Sequence, residues 1–562
     1  MINQRPSFYR STSACTAPKQ RRRGAQVMGW AVGLLSSLVL LPVAAPVQAA
    51  ERVNANYGPL EFSIAVKSLQ AFAQDGTVDS DLAFLINRLN PEQRQQLRQF
   101  LTSRYQFSPV LMAQFFYSSL GERMLTYLGE MVQLPHNQNG LYGIRAALLQ
   151  AAADPNGLSP LGVMQKFPTN TIRLNTERIL QQWAQFGTVM KQTEAYVKTL
   201  KQNASDAQAA EPSIDFAKLP DLNRPGPYAY GKQTKTLQDG RRQRQFIVDL
   251  YLPNLPEGGT SPVVIITNGI GTRLDRYDYL AQHLATYGFT IAVPQHPGSD
   301  VQQQQAFLKG MARDMFLPTS YLDRPQDITF LLDELERLNA SEFKNQLNLK
   351  QVGVFGNSFG GDTALAVAGA QIDFNQLEAD CSPQKNLVNL SLLVQCQALQ
   401  LPHKDYNFRD PRIQAASVLF PGSNSLYGQS GLSQIKIPVL WGAVSKDIFS
   451  SLVLEQLPAF NALRTDNKYL VVANGLDHLN LNFYALRTLK TMDQAGADAV
   501  TLKEPEAAKA YLKALNLAFF QVYLADRSEY RPFLTASYAQ AMSQASYSLM
   551  FLQSLTGVYS AK

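Results

Sequence analysis

The sequence predicts an α/β fold in which a mostly parallel, doubly wound sheet follows an N-terminal all-helical domain. From about residue 228 onward, short apolar runs alternate with helix-like segments, which is typical of parallel strands joined by helices. Between residues 51 and 202 the apolar residues recur at helical spacing instead, and no alternating strand pattern interrupts them. The 562 residues are enough for two or three domains and a large core.

Residues 1–49 are predicted to be a signal peptide. Three arginines at 21–23 precede an apolar run at 28–43, and Val-Gln-Ala at 47–49 forms a small-residue cleavage site. The alternative is a retained membrane anchor, but the apolar run is shorter than the ~20 residues that a span needs. We therefore expect an exported protein that is periplasmic, lumenal or secreted after the signal peptide is removed.

The net charge of +7 says little about partners, because six of these charges lie in residues 1–49, which contain no acidic residue. Without that segment the chain is nearly neutral. Net charge therefore gives no support for steering of polyanions, and we expect no nucleic-acid partner.

The predicted helical domain comprises residues 50–202. Phe62, Val66, Leu69 and Phe72 fall on one helical face. The aromatic residues at 115–117 are interpreted as core rather than as a ligand site. Residues 203–227 are rich in Ala, Ser, Asp and Pro and are predicted to be a linker.

Two helix starts in this domain carry capping signals. Asn90 precedes Pro91 and stands three residues before Gln93, which is the pattern of a capping box with proline in the first helical position. Ser108 precedes Pro109 and starts another helix in the same way.

The third predicted segment, residues 228–562, supplies the sheet. Residues 277–287 and 327–338 are predicted helices, and the tail from about residue 507 is predicted to be helical. The predicted strands are residues 246–251, 263–267, 289–293, 352–355, 415–419, 439–441 and 469–472.

A serine between glycines is the strongest chemical signal. Residues 356–360 read Gly-Asn-Ser-Phe-Gly and lie between the apolar run at 352–355 and a small-residue helix at 363–370. A sharp strand-to-helix turn holds such a serine in a strained backbone conformation, and side chains at the flanking glycines would clash. Ser358 is therefore the predicted nucleophile. The alternative is a glycine turn with a purely structural role.

A serine hydroxyl needs a base to act as a nucleophile at neutral pH. The histidines after Ser358 are His403 and His478. We favour His478, because it follows the run at 469–472 and a glycine turn, and ligands bind at the carboxyl ends of strands in such sheets. His403 lies in a polar, loop-like insert.

The acid is expected between nucleophile and base in the chain. Asp447 follows the run at 439–441 and is predicted to hold His478 in one tautomer and to stabilise its imidazolium. The preceding run at 415–419 ends without a carboxylate. Asp477 adjoins His478, and we expect its side chain to point elsewhere.

An oxyanion requires two backbone N–H donors. The first is expected from Phe359, directly after the nucleophile. The second is expected from Ile270, in the loop Asn-Gly-Ile-Gly at 268–271 that follows the run at 263–267. The alternative for this loop is an ordinary glycine turn.

Residues from about 228 to 480 resemble the α/β-hydrolase superfamily, in the branch of dienelactone hydrolases and platelet-activating-factor acetylhydrolases. The resemblance rests on residues 263–271, on His-Pro-Gly-Ser at 296–299, on the serine turn and on the Asp447 loop. Relatives commonly have His-Gly where this chain has Asn-Gly at 268–269, a departure that leaves the backbone donor intact. Tyr-Gly-Pro-Leu at 57–60 and Leu-Gly-Glu-Arg at 120–123 resemble a domain of unknown function fused to such hydrolases in cyanobacteria.

Residues 371–412 lie where hydrolases of this fold often insert a lid. The insert contains apolar residues at 390–394, which predict a cover over an apolar acyl or lipid-like substrate, although a solvent loop is an equal alternative. Cys381 and Cys396 are close in sequence and are predicted to form a disulfide in an oxidising compartment. The third cysteine, Cys15, leaves with the signal peptide.

Together these residues predict a serine hydrolase that cleaves a carboxylic ester through an acyl-enzyme on Ser358, with no cofactor and no metal ion. The expected partner is a small-molecule ester or lipid, and peripheral contact with a membrane stays open. The alternatives are an acyltransferase with the same triad, a non-catalytic binding protein, and a partner-docking role for the helical domain. The sequence predicts neither the substrate-binding residues nor the oligomeric state.

Overall fold

The computed structural model describes residues 49–57, 60–382, 388–476, 478 and 505–555. The predicted signal peptide lies outside the described residues except for Ala49, and so does Asp477. The described strands are β1 (Arg52–Tyr57), β2 (Leu60–Ala65), β3 (Val132–Gln133), β4 (Thr171–Leu174), β5 (Tyr230–Asp239), β6 (Arg244–Pro253), β7 (Ser261–Thr267), β8 (Thr290–Pro294), β9 (Leu347–Asn357), β10 (Ile413–Leu419), β11 (Val439–Val444), β12 (Lys468–Asn474) and β13 (Ser548–Leu552).

The helices connect these strands and cover both faces of the larger sheet. They are α1 (Val66–Asp75), α2 (Ser80–Ile86), α3 (Pro91–Thr102), α4 (Pro109–Tyr117), α5 (Ser119–Met131), α6 (Leu141–Ala152), α7 (Pro160–Gln165), α8 (Thr176–Ala210), α9 (Asp278–Thr286), α10 (Val301–Leu308), α11 (Ser320–Asn339), α12 (Phe359–Ala368), α13 (Phe374–Asp380), α14 (Leu392–Gln395), α15 (Asn424–Leu432), α16 (Leu457–Ala462), α17 (Glu506–Tyr523) and α18 (Ala536–Met542). Among the described residues, none of these helices is both long and apolar enough to cross a membrane.

The larger sheet has nine strands in the order β13-β12-β11-β10-β9-β7-β8-β6-β5. The central strands from β12 to β8 run parallel, and the pairings at both edges are antiparallel. Alternate residues of β7 enter different buried clusters: Val263 and Ile265 face α11 and α12, whereas Val264 and Ile266 face α9 and α17. The predicted α/β class, with a large, mostly parallel sheet, is confirmed.

The N-terminal segment, residues 50–202, is not all-helical, which corrects the sequence prediction. It contains a four-stranded sheet in the order β2-β1-β4-β3. Phe62 lies in β2, and the first helix begins only at Val66. A separation of four residues fits the period of a strand as well as that of a helix, so the apolar spacing could not distinguish the two. The predicted caps are present: Asn90 forms a capping box with Gln93, and the Ser108 side chain accepts from the Leu111 amide.

Two further boundaries differ from the prediction. Helix α8 continues to Ala210, so the first eight residues of the predicted linker are helical. The C-terminal tail is not purely helical, because β13 pairs antiparallel with β12 and forms one edge of the sheet. The run Ser548–Leu552 is only five residues long, and a short apolar run does not reveal its type by periodicity alone.

The N-terminal segment packs directly on the loop that follows α10. The Ser119 amide donates to Oδ1 of Asp314 at 2.6 Å, and Arg313 pairs with Oε2 of Glu122 at 2.9 Å. The loop between α10 and α11 leads to Phe316, whose ring lies 5.4 Å from that of Phe359. The N-terminal segment therefore supports a loop that contacts the residue directly after Ser358.

Candidate active site

Ser358 lies on a strained turn between β9 and α12. Its backbone has φ 51° and ψ −125°, in the positive-φ region that side-chain-bearing residues rarely adopt. Two glycines make the turn possible by their lack of a side chain. A methyl group on Gly356 would lie 2.1 Å from the Gly360 carbonyl oxygen, and one on Gly360 would lie 2.0 Å from the Thr267 carbonyl oxygen. The Ser358 side chain is left partly exposed at the carboxyl end of the sheet.

Asp447 and His478 form a buried hydrogen-bonded pair at the same end of the sheet. Oδ2 of Asp447 lies 2.7 Å from Nδ1 of His478. The other carboxylate oxygen, Oδ1, accepts from the backbone amides of Phe449 and Ser450 at 2.8 and 2.7 Å. Because each oxygen has its own donors, the carboxylate plane is fixed and the imidazole is held in one orientation.

Strand β10 connects this pair to the serine. The Ser358 amide donates to the Leu419 carbonyl oxygen at 2.9 Å. The next residue, Phe420, places its ring 4.4 Å from the ring of His478. Ser358, Asp447 and His478 thus follow the carboxyl ends of β9, β11 and β12, and β10 lies between β9 and β11.

The loop after β7 lies against the serine turn. The Gly269 amide donates to Oδ1 of Asn357 at 3.1 Å, and a methyl group on Gly269 would lie 3.5 Å from Cβ of Ser358. Neither the Ile270 amide nor the Phe359 amide donates to an acceptor among the residues that the structure describes. These two amides are the ones that the sequence predicts as oxyanion donors.

Arg324, which was not predicted from the sequence, is buried beside both loops. Its guanidinium donates to Oγ1 of Thr267 at 3.0 Å and, in a short contact, to the Asn268 carbonyl oxygen. The same group lies over the Phe359 ring. Burial lowers the pKa of Arg324 to about 10, so it stays cationic at neutral pH. An arginine one turn before Ile328, on the buried face of α11, was the signal that could have indicated it.

A second buried network holds the end of β7 from the other side. Nε2 of His296 lies 3.1 Å from Oγ1 of Thr267, and Nδ1 lies 3.1 Å from Oδ2 of Asp327. Arg244 and Arg242 also pair with Asp327, at 2.9 Å each. Burial, and secondarily the charge of Arg324, lowers the pKa of His296 to about 4. His296 is therefore neutral at pH 7 and supports the end of β7, directly before the loop at 268–271.

His403 lies apart from the pair formed by Asp447 and His478. It is substantially exposed, its Nδ1 lies 3.1 Å from Oε1 of Glu378, and its ring stacks on Phe374. Both of these partners lie in α13, on the surface of the insert. The structure thus gives His403 no contact with the proposed acid.

The predicted disulfide between Cys381 and Cys396 is present and closes the insert. Residues 383–387, inside the closed loop, lie outside the described part of the chain. The insert is also held by the buried Glu455, whose Oε1 accepts from the side chains of Asn389, Ser391 and Gln395 at 2.6 to 3.0 Å. Burial raises the pKa of this carboxyl group.

Helix α5 contacts both ends of the disulfide. The Tyr127 hydroxyl donates to the Cys381 carbonyl oxygen at 3.3 Å, and Arg123 donates to the Cys396 carbonyl oxygen at 3.5 Å. The insert is thus bound on one side by the sheet domain and on the other by the N-terminal segment.

Within the described residues, His, Cys, Asp and Glu side chains do not gather in a group of three or more that could hold a metal ion.

Residues 49–175 match the model of a family described as "Alpha/beta hydrolase of unknown function". The match supports a hydrolase of the α/β class and distinguishes no branch of it. It covers the N-terminal segment, whereas the serine turn and the nine-stranded sheet lie after it. No curated protein matches the chain.

Proposed function

We propose that the protein is a serine-dependent hydrolase of carboxylic esters, acting through an acyl-enzyme on Ser358. The observation that carries the proposal is the Asp447–His478 hydrogen bond. It lies at the same carboxyl end of the sheet as Ser358, which occupies a strained strand-to-helix turn. Such a pair activates a hydroxyl nucleophile in hydrolases of unrelated folds.

In the first step, Oγ of Ser358 attacks the ester carbonyl carbon while Nε2 of His478 accepts its proton. Asp447 stabilises the imidazolium that forms. The carbonyl oxygen becomes an oxyanion and accepts from the Phe359 and Ile270 amides. Collapse of the tetrahedral intermediate breaks the bond to the alcohol, which leaves with the proton from His478.

In the second step, His478 removes a proton from water, and the resulting hydroxide attacks the acyl-enzyme. Collapse of this second intermediate releases the carboxylic acid and returns the proton to Ser358. No step requires a cofactor. If an alcohol replaced water in this step the protein would be an acyltransferase, and the reaction products distinguish the two outcomes.

The finer assignments are part of this proposal. We assign the sheet domain to residues 228–562, with the insert at 371–412 as a lid over an apolar acyl group. We assign export to a cleaved signal peptide at residues 1–49, and kinship to the dienelactone hydrolase and acetylhydrolase branch. The disulfide, which forms in oxidising compartments, supports export.

The experiment is hydrolysis of p-nitrophenyl esters from acetate to palmitate by the mature protein and by Ser358→Ala. We expect hydrolysis and fluorophosphonate labelling by the wild type, with loss of both in Ser358→Ala by at least ~10⁴-fold. Equal rates from both proteins would overturn the proposal. The optimal chain length reports the depth of the acyl pocket.

A further inference from the structure

A polar cleft of about 360 Å³ opens beside the loop at 268–271, which is proposed to supply an oxyanion donor. This volume lies within the roughly 300–1,000 Å³ range of small-molecule sites. The cleft lies at the carboxyl ends of β7 and β8. Ser358 lies at the same end of the sheet, where ligands of such sheets bind. The lining of the cleft includes Asn268, Gly269, Gln302, Gln305 and Arg324.

The charged side chains that line the cleft include two pairs that compensate each other. Lys232 pairs with Asp249 at 3.0 Å, and Arg273 pairs with Asp275 at 2.7 Å. Pairs of this kind favour neither an anion nor a cation as ligand. What the cleft offers instead is a high density of hydrogen-bonding groups.

Two buried polar atoms of residues that line the cleft have no partner among the described residues. They are Oδ1 of Asn268, whose residue is 5% exposed, and Nε of Arg324, whose residue is 1% exposed. Buried polar atoms normally have hydrogen-bond partners. Neither atom is open to solvent, so a ligand in the cleft would meet other groups, among them the side-chain amides of Gln302 and Gln305, which both donate and accept. Hydroxyl groups have that property.

The cleft and the nucleophile lie on two sides of one short loop. Asn268 and Gly269 line the cleft, while Gly269 donates to Asn357 and lies against Cβ of Ser358. An ester held at Ser358 by its carbonyl group could therefore extend one of its two arms past this loop. The acyl arm is apolar in the proposed function, so the polar cleft fits the alcohol arm.

We propose that this cleft binds an uncharged, hydroxyl-rich alcohol portion of the substrate, a sugar or similar polyol. The proposal rests on the proposed ester hydrolysis and narrows its substrate class to acylated sugars or polyols. Gln302 and Gln305, on the exposed side of α10, contribute amides that suit vicinal hydroxyls.

The experiment compares two esters of octanoic acid, one of glucose and one of hexanol, which share the acyl group and differ in the hydroxyls. We expect a higher kcat/KM for the glucose ester. In Gln305→Leu and in Gln302→Leu the ratio of the two kcat/KM values should fall by about 2–10-fold, the effect of one hydrogen bond. The ratio should not change in Lys309→Ala, which alters an exposed residue directly after α10.

A second measurement does not depend on catalysis. Saturation-transfer NMR with methyl glucoside and Ser358→Ala should show binding at millimolar concentration that weakens in Gln305→Leu. If p-nitrophenyl acetate is hydrolysed through Ser358 but the two octanoates are cleaved with equal kcat/KM, the sugar inference is overturned and the esterase stands. If no ester is cleaved, the proposed esterase function is wrong. An absence of saturation transfer would then overturn the assignment of the cleft as well.

Discussion

The central carbon of the Arg324 guanidinium lies 4.9 Å from the centroid of the Phe359 ring. The same guanidinium donates to the carbonyl oxygen of Asn268, two residues before Ile270. One cation on α11 therefore contacts both segments that are proposed to supply an oxyanion donor. Stacking and forked donation are properties of arginine that lysine does not share.

Arg324→Lys should therefore lower kcat with little change in KM. The donors would be displaced rather than removed, so we expect a loss of about 10–100-fold, up to the effect of deleting one oxyanion donor. Steady-state kinetics on p-nitrophenyl butyrate would measure it. The matched control is Arg337→Lys, which alters an exposed arginine on the same helix and should leave both constants unchanged. A rise in KM alone would show that Arg324 binds substrate rather than positioning the donors.

Asp447→Asn should lower kcat by about 10⁴-fold, because the amide no longer holds the imidazole in the required tautomer or stabilises the imidazolium. The fold should persist, since the amide oxygen can still accept from Phe449 and Ser450. Kinetics together with a thermal unfolding curve would test both parts, with the exposed Asp466→Asn as the control. Retention of more than a tenth of the activity would contradict the role assigned to Asp447.

Gly360→Ala should destabilise the fold and lower activity. The added methyl group would meet the Thr267 carbonyl oxygen at 2.0 Å and push α12 away from β7. Overpacking of this kind costs about 1–3 kcal/mol. Urea unfolding would measure the cost, and Gly187→Ala is a matched control. Gly187 lies inside α8 with no heavy atom within 4 Å of the added carbon, so that change should stabilise the protein by about 0.5–1 kcal/mol.

Replacing both Cys381 and Cys396 by alanine should lower the free energy of unfolding by about 3 kcal/mol. The disulfide closes a loop with a sequence separation of 15, and constraining the unfolded chain over such a loop gives this magnitude. Urea unfolding with and without dithiothreitol is the measurement. The reductant should destabilise the wild type and leave the double variant unaffected. Equal sensitivity of the two proteins to dithiothreitol would contradict a stabilising disulfide.

His283→Leu should make the protein less sensitive to acid. Burial lowers the pKa of His283 to about 4 from its ordinary 6.5. Between these two pH values the unfolded state therefore binds more protons than the folded state, and stability falls as the pH is lowered. For one histidine the loss amounts to roughly 3 kcal/mol at pH 4. Unfolding free energies from pH 7 to 4 should fall less steeply in the variant, and identical slopes would refute this account.

The features that could be predicted from the sequence are those encoded by residues close together in the chain. The strand ends before Ser358 and Asp447 are each marked by an apolar run followed by a turn, and the structure brings the acid and His478 into hydrogen-bond contact there. The capping box at Asn90 is encoded within four residues and is present.

The features that escaped prediction depend on distant partners. Strand β13 is defined by pairing with β12, about 75 residues earlier. The role of Arg324 requires Phe359 and Asn268 to meet on one side chain, which no local pattern shows. Phe62 was assigned to a helix for a different reason. Its separation of four residues from Val66 fits the period of a strand as well as that of a helix.

The contacts from α5 to the two cysteine carbonyl groups have a consequence for inheritance. Tyr127 and Arg123 lie in the segment that matches the hydrolase family model, whereas Cys381 and Cys396 lie in the insert that follows α12. A gene rearrangement that separated the two segments would leave the insert without these donors. It would also uncover Leu120, which packs against the buried cluster that contains Val263 and Ile265 of β7. The first part of the chain is therefore a component that has to be inherited together with the sheet domain whose insert it contacts.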